Sequence, residues 1–121
     1  MRIGIMGAGG IGTVVGGLLS NAGHDITLID QWPENVEKIK SDGLIVEHRD
    51  TEVLTHPKAI HLHELQLETE PFDAAFIAVK SYDTEWATTM MLRYVDPEHG
   101  VFVDFQNGIN DQRMADIAGV E

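Results

Sequence analysis

Cysteine is absent from this 121-residue chain, which excludes disulfides and thiolate metal sites. Basic residues are scarce: 8 Lys and Arg stand against 20 Asp and Glu, a formal net charge of −12. Nucleic acid and anionic membrane both call for clustered cations, so neither is expected as a partner. No apolar run approaches the roughly 20 residues of a spanning helix. No basic segment followed by an apolar one opens the chain, so no secretory signal is expected and a cytoplasmic location is. Internal repeats, low-complexity stretches, a Ser-His-Asp arrangement and a P-loop lysine are lacking as well. The acidity constrains any phosphate ligand: with few cations on offer, backbone N–H groups and a helix dipole must hold it.

What is present reads as one soluble domain, with 43% apolar and 23% charged residues. Arg2 to Met6 is a short apolar run. Ile11, Val14, Val15, Leu18 and Leu19 then recur at helical spacing, and Gly23 suits the left-handed position after a helix. His24 to Asp30 reads as a strand, and Pro33 opens a helix that continues through Val36 and Ile39 to Gly43. Leu44 to His48 and Val53 to Leu62 read as weaker strands, the second interrupted by Pro57, with a short helix or loop over 64–70. Asp73 to Val79 is the continuous apolar run of a strand buried on both faces. A helix over 84–94, a strand over 100–105 and a helix over 109–118 complete the chain. This alternation predicts a doubly wound, mostly parallel α/β sheet of the Rossmann type, with residues 1–121 as a single dinucleotide-binding domain.

Gly7-Ala8-Gly9-Gly10-Ile11-Gly12 matches G-x-G-x-x-G between a strand and a helix. Gly7 permits the tight turn, Gly9 lets the backbone approach a pyrophosphate, and Gly12 allows close helix packing. Asp30 closes the second strand, eighteen residues after Gly12. A carboxylate there accepts hydrogen bonds from the adenosine ribose and repels a 2′-phosphate, and the following Gln31 and Trp32 bring no cation. NAD(H) is therefore favoured over NADP(H). The alternative role for Asp30 is capping the next helix, and both can hold together. Trp32 is either a cover for the adenine face or a surface anchor.

Two later strand ends carry a more specific pattern. Ala78-Val79-Lys80-Ser81-Tyr82-Asp83-Thr84 and Phe105-Gln106-Asn107-Gly108, with the opening Met1 to Leu19, resemble the first half of the ketopantoate reductase (2-dehydropantoate 2-reductase) family. The resemblance implies hydride transfer from a nicotinamide to a 2-keto acid, giving a 2-hydroxy acid. It places Lys80 beside cofactor and substrate and Asn107 near the nicotinamide, both as catalytic residues. Their physics agrees, since both close strands at the carboxyl edge, where open α/β sheets bind ligands. It also implies a C-terminal helical domain, beyond residue 121, that carries the principal catalytic lysine and a substrate-binding acid. The cofactor half alone is expected to be inactive, and a homodimer of the full-length protein is compatible with the family. NADP-using members carry Arg just after the second strand, where Asp30-Gln31 stands here, so NADP(H) remains open from the resemblance.

Two other classes compete: a regulatory nucleotide-sensing domain of the potassium-transport type, and a different hydroxy-acid dehydrogenase. Lys80 and Asn107-Gly108 argue against the sensor, which has no need of them. His61 and His63 share a face if extended, but no third ligand stands near, so no metal is expected.

Overall fold

The computed structural model describes residues 1–48 and 50–104. Its elements follow as β1 (Arg2–Met6), α1 (Gly10–Asn21), β2 (Asp25–Asp30), α2 (Pro33–Asp42), β3 (Leu44–His48), β4 (Thr51–Thr55) and β5 (Lys58–His61). A 3-10 helix (Leu62–Leu67), β6 (Ala74–Ile77), a 3-10 turn (Ser81–Asp83), α3 (Thr84–Leu92) and β7 (Val101–Asp104) come next. Five strands form a parallel sheet in the order β5-β2-β1-β6-β7, while β3 and β4 pair antiparallel as a separate hairpin. The fold is thus the expected single α/β domain of Rossmann type.

Alternation along the strands divides the core between two faces. Ile3, Ile5, Ile26 and Leu28 meet Val36 and Ile39 of α2 on one side. Met6, Ile29, Ile60 and Ile77 meet Leu65, Ala87 and Met91 on the other. Phe72 is fully buried on that second side, and the Arg2 guanidinium lies 4.5 Å above its ring.

Helix boundaries follow local chemistry. Pro33 occupies the first turn of α2, where its missing N–H costs nothing. Gly23 and Gly43 take positive φ (96° and 72°) just past α1 and α2.

The middle of the chain departs from its sequence pattern. The run read as one strand over 53–62 is divided at His56-Pro57 between two sheets: β4 turns back on β3, and β5 joins β2. Proline cannot donate to a ladder, so the break falls where pairing changes partner. The segment read as helix or loop over 64–70 is the 3-10 helix Leu62–Leu67, which spans the crossover from β5 to β6. The helix expected over 109–118 lies outside the described residues.

Candidate functional site

β1 sits centrally, with β2 on one side and β6 on the other. The chain runs outward from β1 to β2 and β5, then returns to β6 and β7, so the strand order reverses beside β1. A crevice opens at such a point, outside the carboxyl ends of the strands. Here it is a cleft of about 510 Å³ whose lining includes Gly7, Gly9, Asp30, Gln31, Lys80 and Asn35.

The three motif glycines have distinct surroundings. Gly7 has φ +115°, and a Cβ on it would stand 2.7 Å from the Ala78 carbonyl oxygen. The turn is locked there: the Gly7 N–H donates to the Ile29 carbonyl (2.7 Å) and the Ala78 N–H to the Met6 carbonyl (2.9 Å). Gly12 faces the Gly7 carbonyl oxygen so closely that any Cβ would drive into it. At Gly9 the space is open, with nothing within 4 Å of a Cβ. Gly10 has the same open space. The N-terminus of α1 has no side-chain cap and no acidic residue in its first turn. Its first intrahelical bond in the turn is from the Thr13 N–H to the Gly9 carbonyl (3.0 Å). The preceding amides of Gly10, Ile11 and Gly12 therefore lack intrahelical acceptors and sit at the positive end of the helix dipole.

Asp30 ends β2 and is only 6% exposed. Its Oδ2 accepts from the Ala8 amide (2.9 Å) and the Asn35 side-chain amide (3.1 Å), and its Oδ1 accepts from the Trp32 amide (2.9 Å). The carboxylate thus braces the glycine turn against the start of α2. A carboxylate offers about four lone-pair sites; three are engaged here, and the vacant one is on Oδ1. Asn35 was not foreseen. Nothing in its local sequence marks it, because its partner is set by the packing of α2 on β2. Gln31 and Trp32 line the cleft, with Trp32 59% exposed.

On the opposite wall stand Ala78, Val79 and Lys80. Among the described residues, Lys80 is the one basic side chain lining the cleft, and no described residue pairs with its ammonium group. Tyr82, Asp83 and Trp86 complete this wall, and the Trp86 indole N–H donates to Asp83 Oδ1 at 2.8 Å. The three-residue spacing of that pair on the first turn of α3 was a usable signal. Asn107, expected at the end of the last strand, lies outside the described residues, as do Gln106 and Gly108.

His61 pairs in register with Asp30 at the sheet edge, but its ring turns to α2, where Nε2 lies 2.5 Å from Glu37 Oε1. It stacks on His63 at 5.6 Å between ring centres. The His61 N–H also donates to Glu64 Oε1 (2.8 Å), and this backbone hydrogen bond, with Lys40 nearby, holds the Glu64 carboxyl below its ordinary value. Among the described residues, no three His, Cys, Asp or Glu side chains form a metal-holding group.

Residues 3–119 match the protein family described as ApbA, ketopantoate reductase PanE/ApbA. The chain is 33% identical over 120 residues to a 2-dehydropantoate 2-reductase of Pyrococcus horikoshii, covering 98% of this chain and 37% of that protein. Among solved structures, a PanE/ApbA family ketopantoate reductase from Ralstonia eutropha superposes with a TM-score of 0.79 at 29% identity, over 98% of this chain and 37% of the other. D-Mandelate dehydrogenase, solved with NADH and anilino(oxo)acetate, superposes with a TM-score of 0.81 at 26% identity, over 96% of this chain and 36% of the other. The chain therefore spans a little over a third of the length of these relatives. These likenesses do not favour the regulatory sensor.

Proposed function

Because the chain belongs to the PanE/ApbA ketopantoate reductase family, we propose that it is the dinucleotide-binding half of an oxidoreductase that reduces a 2-keto acid to a 2-hydroxy acid. One observation carries the cofactor part. The open space at Gly9 lies directly before a helix N-terminus that neither a side chain nor an acid occupies. A pyrophosphate fits that space, since its charge meets unpaired amides and the dipole end, and the acidic chain supplies little else to hold it. The bound cofactor would supply the hydride; the chain's own part is to hold and orient it. Similar relatives support this: the D-mandelate dehydrogenase structure contains NADH.

The corner around Asp30 favours NAD(H). The vacant lone pair on Oδ1 is an acceptor for one ribose hydroxyl, and the buried negative charge opposes a 2′-phosphate. Gln31 and Asn35 beside it are uncharged. Lys80, across the cleft, is a point charge for the carboxylate of a keto acid or a cofactor oxygen. Asn107 is assigned the nicotinamide end on family resemblance alone. Ketopantoate is the substrate the family name supports. The catalytic groups absent from residues 1–121 belong, on this reading, to a helical domain, and the 121-residue chain binds cofactor without completing the reaction.

Calorimetric titration with NADH and NADPH tests the reading. NADH is expected to bind more tightly. Tighter NADPH binding would overturn the role of Asp30, and binding of neither would remove the function itself.

A further inference from the structure

Both tryptophans of the chain, Trp32 and Trp86, line the same cleft. This is unexpected on two grounds. Trp32 is large and apolar, yet it stands 59% exposed on the rim while its backbone is pinned by Asp30. Trp86 packs against the core on one side, faces the cleft on the other, and has its indole N–H tied to Asp83. One cleft thus holds an exposed indole with a pinned backbone and a second with a tethered ring N–H, which suits a flat ligand.

We propose that the adenine ring of the cofactor stacks between Trp32 and Trp86, with Asp83 as the positioning residue that sets the Trp86 ring plane. The proposal rests on the dinucleotide reading above, and two geometric arguments support it. The ribose assigned to Asp30 carries its base on the carbon next to the 2′-hydroxyl, so the base must lie within a few ångströms of that carboxylate. Trp32 is two residues from Asp30, and its amide is already bonded to Oδ1. Strand spacing agrees with this placement. β2 and β6 are the two neighbours of β1, so their ends stand two strand spacings apart, roughly 10 Å. A ring stacked on both faces needs about 7 Å between its neighbours, twice the contact distance of carbon atoms. That spacing leaves room for one base in the cleft that both tryptophans line.

Stacking suits this chain in particular. A net charge of −12 leaves few cations for binding an anionic nucleotide, whereas base–aromatic contact needs none. Asp83 is close enough to the cleft to repel phosphate, but its Oδ1 is engaged by the indole. Its charge serves to orient the ring.

The test uses the two natural fluorophores and the two halves of the cofactor. AMP and NMN are titrated into the whole chain, with calorimetry and tryptophan emission followed in parallel. Trp86→Phe leaves Trp32 as the reporter, and Trp32→Phe leaves Trp86. AMP is expected to quench both single-tryptophan variants, and NMN neither. Trp32→Ala, on the exposed rim, should weaken AMP roughly tenfold or more without altering the melting temperature, the loss expected of one stacked face. In the Trp32→Phe background, Asp83→Ala should reduce both AMP affinity and quenching, and Asp83→Asn, which still accepts from the indole, should restore them. Four results overturn the proposal. AMP heat without quenching, or unchanged affinity in Trp32→Ala, removes the stack and leaves the dinucleotide reading standing. Quenching by NMN as strong as by AMP places the tryptophans at the other end of the cofactor. No heat from AMP, NMN or NADH removes both the stack and the dinucleotide reading.

Discussion

The Asp30 carboxylate and the Ala8 amide are joined by a 2.9 Å hydrogen bond across 22 residues of chain. A charged side chain at the end of one strand thereby fixes the turn that follows another. The residue the motif assigns to ribose recognition is thus also a brace for the glycine turn.

Replacing Asp30 should therefore do more than remove one ligand contact. Asp30→Ala leaves the Ala8 and Trp32 amides without their acceptor in a buried corner. An unsatisfied buried donor costs about 1–3 kcal/mol, and a shift of that size lowers the melting temperature of a domain this small by roughly 5 °C or more. Nucleotide affinity should fall in parallel. Asp30→Asn, which keeps one acceptor oxygen, should recover part of the stability. If Asp30→Ala melts as the parent does, the brace contributes nothing. Combining Asp30→Ala with Gln31→Arg is expected to turn the preference from NADH to NADPH, as read by calorimetry.

The glycines separate function from folding. Gly9→Val places a branched side chain in open space, so circular dichroism and melting temperature should hardly change while NADH binding is lost. Gly12→Ala sets a methyl group against the Gly7 carbonyl. That overlap has no flexible neighbour to relieve it, and the expected cost is on the order of 3 kcal/mol of stability. Binding that survives Gly9→Val would show that the phosphates do not rest on this turn. Equal melting temperatures for the two variants would contradict the packing around Gly12.

Acid stability should depend on the cluster at the opposite edge of the sheet. Glu68 accepts from Arg2 Nη2 (2.7 Å) and Lys58 Nζ (2.6 Å). Burial pushes its carboxyl upward, but the hydrogen bonds from Lys58 and Arg2 outweigh this and hold it below the ordinary value of 4.5. A carboxyl depressed in the folded state binds fewer protons there than in the unfolded chain, so stability rises with pH between the two values. The contribution is present above about 4.5 and is lost as pH falls through the folded value. Glu68→Gln should flatten the fall of melting temperature below that pH and leave binding at neutral pH unchanged. A fall of equal slope in parent and variant would assign acid lability to other carboxyls.

Much of this was legible in the sequence, for identifiable reasons. β1, β2 and β6 are buried on both faces, and their runs are apolar enough to stand out. The glycine turn is local chemistry, and its spacing alone distinguishes the three positions. The exchange of partners at His56-Pro57 was not legible, because β4 and β5 have similar composition and differ only in the strand each pairs with. Asn35 was hidden for the same kind of reason: its contact to Asp30 exists only after α2 has packed. Trp86 read as a helix residue like any other until β6 placed the first turn of α3 over the cleft.

Lys80 offers the sharpest test of the catalytic assignment. It is the one cation among the described residues lining the cleft, and it is exposed three residues past the end of β6 at Ile77. No described carboxylate pairs with it. If it holds the keto acid or orients the cofactor, the loss should appear in turnover more than in cofactor affinity. In the complete enzyme, Lys80→Ala is expected to lower kcat for ketopantoate roughly 10²-fold, as expected when one oriented electrostatic contact is removed. Its NADH Kd should change by much less. Asn107→Ala should lower turnover as well. The measurement is a steady-state assay at the nicotinamide absorbance, run beside calorimetry with NADH. An unchanged kcat with a weakened NADH Kd would make Lys80 a cofactor contact only. Robust reduction by residues 1–121 alone would place the catalytic group within this chain, and Lys80 would then be the first residue to examine for it.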